Sequence, residues 1–401
     1  MSTAALRTAL AEALPERPFR LELWDGTDLP STNGGGGPTF QLRSPVALGH
    51  VLRAPGQLGV GRAYVAGVLD VDDVDAALDL LDGWSAPPLD ARDRARIAAA
   101  ALRAGALSAV PRVPAAELAP RGRRHSIARD KRSVTYHYDV SNDFFALFLD
   151  ESMTYSCAFW SRAPEETLEA AQVAKLELVC TKLRLTEGLR ILDVGCGWGS
   201  FALHAAREHG VRVTGITLSE PQAALARERA AEAGLADRID IRVADYRELR
   251  DEPFDAIASI GMVEHVGNAQ IDAYAEQLHR LLKPGGRLLN HGIARLRHGD
   301  PEAGPFSERY VFPDAAPLHL SRILWATERA GFLTEHVEGF AEDYARTLRE
   351  WTRRLEANRD RALALAGPER VRVWRVYLRA ARRGFESGFT SVYQVLAHKP
   401  V

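Results

Sequence analysis

The stretch "ILDVGCGWGS", Ile191–Ser200, decides the fold. An apolar run holding one acid, Asp193, ends in Gly195, Gly197 and Gly199. A helical pattern, "GSFALHAAREHG", follows. Glycines there permit a tight turn and let backbone approach a ligand closely. The strand-then-helix unit repeats downstream. "VRVTGITLS" precedes "PQAALARERAAEAG", and "IDIRVADY" and "FDAIASIGM" come next. "IDAYAEQLHRLLKPGG" then leads into "RLLNHGI". Such alternation predicts an α/β fold with a parallel, doubly wound sheet. Two long helical patterns, "EDYARTLREWTRRLEANRDRALALAG" and "ERVRVWRVYLRAARRGFES", come before a last strand, "FTSVYQVLAHK". Insertions near the edge of such a sheet are candidate lids.

Composition narrows the function classes. The 401 residues are 46% hydrophobic, enough for a sizeable core in two or three domains. Lys and Arg number 51 against 53 Asp and Glu, so a net charge of -2 gives no case for nucleic-acid binding. The three cysteines, Cys157, Cys180 and Cys196, form no paired spacing. They suit a reducing cytoplasm and offer no CxxC zinc motif, so no metal site is expected. The first twenty residues lack a long apolar core, and no signal peptide is expected. No run reaches the roughly 18 apolar residues of a membrane span, so a lipid substrate would be met at the membrane surface.

Upstream, "STNGGGGPT" reads as a flexible surface loop between the strand-like "FRLELWDG" and "FQLRSP". "PVALGHVLRAP" and "DVDAALDLLDGW" carry helical periodicity. The expected division is a small α+β domain over 1–107, a Pro- and Arg-rich linker over 108–130, and a catalytic domain over 131–401. The linker's "RGRRHSIARDKR" is basic on a near-neutral chain. It is either a surface for anionic lipid headgroups or a solvated segment. The Arg-rich helix from Arg370 to Arg383 is a second such surface.

The glycine loop reads G-x-G-x-G, not the G-x-G-x-x-G of dinucleotide sites. Asp193 precedes the first glycine by two, which suits the amino group of a methionine-type ligand. The stretch resembles motif I of the class I S-adenosylmethionine methyltransferases, a Rossmann-like fold. Thr217, Ser219 and Gln222 at the second strand's end can hydrogen-bond a ribose or amino acid, and Glu220 is an acid in a shifted position. At the third strand's end Asp245 can accept from an adenine amino group, and Tyr246 either packs on that ring or is ordinary packing.

A wider likeness follows. "HYDVSNDFFALFLDESMTYSCAFW", "ILDVGCGWGS", "ITLSEPQ", "DYREL", "SIGMVEHVG", "RYVFPD", "DYARTLREW" and "VWRVYLRAARRGFESGFTSVYQVLAHKP" occur in family order over about 130 to 400. They resemble cyclopropane-fatty-acyl-phospholipid synthases and their mycolic-acid relatives. "PGQLGVGRAYVAGVLDVDD" resembles the N-terminal domain of the longer bacterial synthases. The resemblance implies methyl transfer from S-adenosylmethionine to a cis alkene of a phospholipid acyl chain at the cytoplasmic membrane surface. A carbocation forms, and a bound bicarbonate removes a proton from the added methyl. The residues it implies for bicarbonate are Glu264, His291 and Tyr310 through side chains, and Cys157 and Ile293 through backbone. Tyr155 and Ser156 are implied at the cofactor's methionine end. The longer synthases suggest a homodimer.

Several readings stay open. His265 is expected to be structural, and Cys157 is not expected to be a nucleophile, having no nearby base. Phe144, Phe145, Phe148, Phe159 and Trp160 either wall an acyl tunnel or pack a core. "LLNHGIAR" departs from the better-known synthases at Asn290 and Gly292. Such variants resemble a branch making methylene- or methyl-branched acyl chains from the same carbocation. The scaffold would also serve a small-molecule methyltransferase, marked by a short polar pocket, or a non-catalytic lipid-binding protein.

Overall fold

The computed structural model describes residues 3–85, 87–106, 111–118, 122–138, 140–161, 166–299 and 304–401. Parts of the expected linker, 108–110 and 119–121, lie outside the described residues. The chain forms two compact units. The first joins Met1–Leu118 with two later segments, Gly304–Val311 and Ala366–Ala380. The second is Ala119–Ala303, Phe312–Leu365 and Ala381–Val401. The expected division into 1–107, 108–130 and 131–401 therefore misses two late segments of the first unit. Nor is the basic run a plain linker, because a helix over Ile127–Tyr138 begins inside it.

In the first unit, β1 (Arg20–Glu22), β2 (Asp28–Leu29), β3 (Thr39–Leu42) and β4 (Leu69–Val71) form a sheet ordered β2-β1-β3-β4. Leu6, Leu23, Leu42, Ala63 and Leu69 fill its core, and Val376 packs against them from a late segment. Arg372 pairs with Asp70 at 3.2 Å and Arg379 with Asp75 at 2.9 Å. Two of the arginines expected as a lipid-facing surface, Arg372 and Arg379, thus spend their charge inside the unit.

The second unit holds β5 (Arg190–Val194), β6 (Arg212–Thr217), β7 (Ile239–Val243), β8 (Phe254–Ile260), β9 (Leu282–Arg295), β10 (Leu333–Gly339) and β11 (Thr390–His398). Their order is β10-β11-β9-β8-β5-β6-β7. The pairs among β5 to β9 are parallel, and β11 runs antiparallel to β9 and β10. β5 is buried on both faces, as a central parallel strand must be. The strand order reverses between β5 and β8, which opens a crevice at their carboxyl ends. Local signals fix the flanking helices. Thr167 caps Leu168–Leu183, and Ser219 caps Glu220–Glu232. Gly367, at φ +72° and ψ 168°, breaks the Arg359–Glu386 element into two helices.

Candidate active site

The crevice takes its shape from the glycine loop. Gly195 and Cys196 both donate backbone N–H to Ile216 O at 2.9 Å, pinning the loop to the end of β6. Gly199 sits at φ +82°, where a Cβ would lie 3.1 Å from Ala226 Cβ, so this position holds glycine for conformation and for space. The lining includes Gly195, Gly197, Thr217, Gln222, Asp245 and Tyr246, all foreseen from sequence.

Asp193 lies at the base of this loop. It is 2% exposed, and its Oδ2 has no hydrogen-bond partner. Burial raises its pKa to about 7, with Lys175 pulling the other way. A buried carboxylate oxygen with no donor suits an incoming ammonium. Thr217 Oγ1 donates to Gln222 Oε1 at 2.8 Å and accepts from Ser219 N–H at 3.2 Å, so these three residues form one rigid turn. Both oxygens of Asp245 accept from Arg247, at 2.6–2.9 Å, and Arg247 also reaches Asp130 and His125 O. Asp130 lines the cleft too, so part of the basic run belongs to the site. Tyr246 packs edge-on to Tyr274 with centroids 5.4 Å apart.

Tyr155 and Ser156 lie on a short segment held from behind. Gln172 Nε2 donates to Ser156 O at 2.9 Å, and Lys175 Nζ to Ser156 Oγ at 2.8 Å. Lys175 is 2% exposed, and burial lowers its pKa to about 8 against the attraction of Asp150, Cys157 and Asp193. Sequence reading missed both residues. The signal was available: Leu168, Ala171, Gln172, Lys175, Leu176, Val179 and Cys180 form one buried stripe at helical spacing. Two polar residues in that stripe need partners. The Tyr155 ring packs against Phe145 and Trp351, at 5.5 and 5.2 Å.

A second polar cluster forms where β8 ends. Gly261 N–H donates to His291 O at 2.8 Å, the last rung between β8 and β9. The chain then turns through Val263–His265, which brings the Glu264 carboxylate close to the Ile293 backbone, whose influence holds its pKa down slightly against burial. Glu264 Oε2 has no partner, and burial raises its pKa to about 7. Gly292 has a spatial reason: a Cβ there would sit 2.2 Å from Val263 Cγ1 and 3.1 Å from Glu264 Oε2. Asn290 is also accounted for, 2.9 Å from the Tyr274 hydroxyl.

His291 is 2% exposed, and burial holds its pKa well below the usual range, so the ring is neutral. Its tautomer follows from its neighbours. Lys182 donates to Gln394 Oε1 at 2.6 Å, which orients the amide. Gln394 Nε2 therefore faces His291 Nδ1, at 3.2 Å, and donates to it. The ring proton then belongs on Nε2, a buried donor with no partner. Phe340 stacks on the ring at 6.2 Å. Gln394 and Lys182 were not found from sequence. Their role depends on β9–β11 register, which pairs Gln394 with His291.

Other expectations resolve differently. His265 lines the same cleft and packs on Phe312 at 5.4 Å, and burial lowers its pKa to about 4. Adjacent in sequence, Glu264 and His265 serve different places. Phe144, Phe145 and Phe148 are fully buried against one another, which is core packing. Phe159 instead meets Phe340 at 5.5 Å, next to His291. Burial raises the Cys157 thiol, which donates to Ala158 O, so it is no nucleophile. Tyr310 falls in the first unit, where its hydroxyl donates to Glu117 at 2.9 Å and Glu117 pairs with Arg62.

Residues 125–395 match the family model described as Mycolic acid cyclopropane synthetase. The chain belongs to this family. It is 38% identical over 391 residues to a Probable fatty acid methyltransferase of Pseudomonas putida, covering 96% of this chain and 92% of that protein. It is 32% identical over 373 residues to the Cyclopropane-fatty-acyl-phospholipid synthase of Escherichia coli K12, covering 92% and 90%. Among solved structures it is similar to the mycolic acid cyclopropane synthase CmaA1 complexed with SAH and CTAB. That match has a TM-score of 0.64 and 34% identity, and covers 67% of this chain and 98% of that one. The chain is an S-adenosylmethionine-dependent methyltransferase of the class I fold, acting on lipid acyl chains.

Proposed function

We propose that the enzyme adds a methylene unit to the cis double bond of an unsaturated phospholipid acyl chain, giving a cyclopropane acyl chain. One observation carries this reading: Glu264 Oε2 and His291 Nε2 are buried without partners at the β8–β9 edge. One group accepts and the other donates. With polar backbone beside them, they suit a small anion that carries one proton, and bicarbonate fits. When bound, bicarbonate supplies the base for a proton on the added methyl, and S-adenosylmethionine supplies the electrophilic methyl.

The chain's own residues do the rest. Asp193 receives the cofactor's ammonium, and the Thr217–Gln222 turn and Asp245 fix its other end. An alkene is a weak nucleophile, so positioning and water exclusion must supply much of the rate. Phe159 and Phe340 keep the space beside His291 apolar. A neutral His291 donates through Nε2 and puts no second positive charge near a carbocation. The Cys157 backbone joins the bicarbonate set by family likeness alone, while the Tyr310 hydroxyl is already given to Glu117 in the first unit. The same reading puts the enzyme at the cytoplasmic face of the membrane. No helix among the described residues is long and apolar enough to cross one, and Arg123 and Lys131 are exposed.

The test incubates the protein with labelled S-adenosylmethionine and mono-unsaturated phospholipid vesicles, with and without added bicarbonate in carbonate-depleted buffer. Mass spectrometry of the acyl chains should show a gain of one CH₂ that resists ozonolysis and depends on bicarbonate. Label confined to small molecules, or a product cleaved by ozone, would overturn the proposal.

A further inference from the structure

A cluster with no part in this chemistry lies where two helices meet. Leu168–Leu183 carries Glu177 and Cys180, and Ser200–His209 carries His204 and His209. Cys180, His204 and His209 each offer a ligand atom, and these atoms lie within 4.8 Å of one another. Glu177 Oε2 stands 3.2 Å from His204 Nε2 and 3.0 Å from His209 Nε2.

Helical spacing does not explain this convergence. Positions five apart on a helix project about 140° away from each other. His209 is the last residue of its helix, before Gly210 at φ +64°, and so its ring can swing back to meet His204. Hydrogen bonding to Glu177 alone is weak grounds for such an arrangement. The Glu177 side chain is 49% exposed, and exposed pairs of this kind contribute about 0–1 kcal/mol. Cys180 packs in the core beneath the two imidazoles, where its sulfur also faces them.

We propose that Cys180, His204 and His209 form a structural zinc site that fastens these two helices together, with Glu177, which already bonds both histidines, completing it from the surface. Thiolate, imidazole and carboxylate form a donor set typical of tetrahedral zinc. Bond lengths of about 2.0–2.1 Å give a tetrahedron edge of roughly 3.3 Å, close to both Glu177–histidine distances. Cys180 Sγ lies within 4.8 Å of both histidine ligand atoms and would draw in to reach its own bond length of about 2.3 Å. Two patterns, E-x-x-C and H-x-x-x-x-H, supply the ligands from separate helices. A search for paired cysteines passes over them. Glu177 lies at the surface and gives the ion an entry path.

The location gives the site a purpose. One helix carries Gln172 and Lys175, which hold the Ser156 segment. The other begins at the end of the glycine loop. An ion joining their far ends would fix the spacing of the two walls behind the cofactor.

The test uses the whole, tag-free protein and cobalt(II) as the spectroscopic probe, followed by zinc. Cobalt should give tetrahedral d–d bands and a thiolate charge-transfer band, both removed by zinc, and zinc should raise the melting temperature. His209→Gln and Glu177→Gln should each weaken zinc binding about tenfold or more, since even outer-shell changes cost that much. Cys180→Ser should abolish the charge-transfer band. Far-UV circular dichroism and S-adenosylmethionine binding establish that each variant is folded. Cobalt spectra without a thiolate band would overturn the site, as would zinc affinity unchanged in folded His209→Gln and Glu177→Gln.

Discussion

Glu264→Gln should make the folded chain more stable at neutral pH while abolishing turnover. Glu264 is buried, and its pKa rises from the ordinary 4.5 to about 7. A carboxyl raised in this way keeps its proton in the folded chain at pH values where the unfolded chain has lost it. Its contribution is therefore full below about pH 4.5 and lost as pH rises through 7. At about 1.4 kcal/mol per pH unit, the whole loss is ~3 kcal/mol. Glutamine has the same shape and never ionises. Its NH₂ would take the place of Oε2 and lack an acceptor, at a cost of about 1–3 kcal/mol that does not vary with pH. The quantity to follow is thus the stability difference between variant and wild type as a function of pH. It should grow by roughly 2–3 kcal/mol in the variant's favour from pH 5 to pH 8, with Asp193 cancelling because both chains carry it. Chemical denaturation at each pH measures it, while calorimetry follows S-adenosylmethionine affinity. A flat difference over that range would refute the buried-carboxylate argument. Wild-type turnover would refute the catalytic one.

Gln394→Leu should lower turnover about 10- to 100-fold with cofactor affinity nearly intact, because His291 Nδ1 loses its donor. Gln394→Glu keeps the shape but accepts a hydrogen bond instead of donating one, so steady-state kinetics should show a similar loss; full activity in that variant would sink the tautomer assignment. Gly292→Ala puts a methyl 2.2 Å from Val263 Cγ1 and should cost about 1–3 kcal/mol in denaturation experiments. It should also lower turnover through Glu264, and an unchanged melting curve with unchanged turnover would count against the close packing described.

The fold was legible because its signals are local. Strand–helix alternation, the glycine loop and the Ser219 cap each act within a few residues. The cleft-lining residues were legible for the same reason: in a doubly wound sheet they sit at strand ends, and strand ends show in sequence. Gln394 and Lys182 were not visible, since their chemistry arises only when β11 pairs with β9. Lys175 was hidden by type. A lysine in a helix usually reads as solvated, and only its place in a buried stripe marks it. The division of the chain was misread for a related reason: composition shows where a linker starts, but not that the chain returns.

That return limits how the protein can be taken apart. Val376 fills the core of the first unit, Arg372 neutralises Asp70, and Glu369 accepts from the Ala116 backbone. All three come from a segment more than 240 residues beyond that unit's main body. A chain cut after Leu118 would free two fragments, one with an open core and one trailing the helix that closes it. The first unit cannot be fused, deleted or exchanged as a bead on a string.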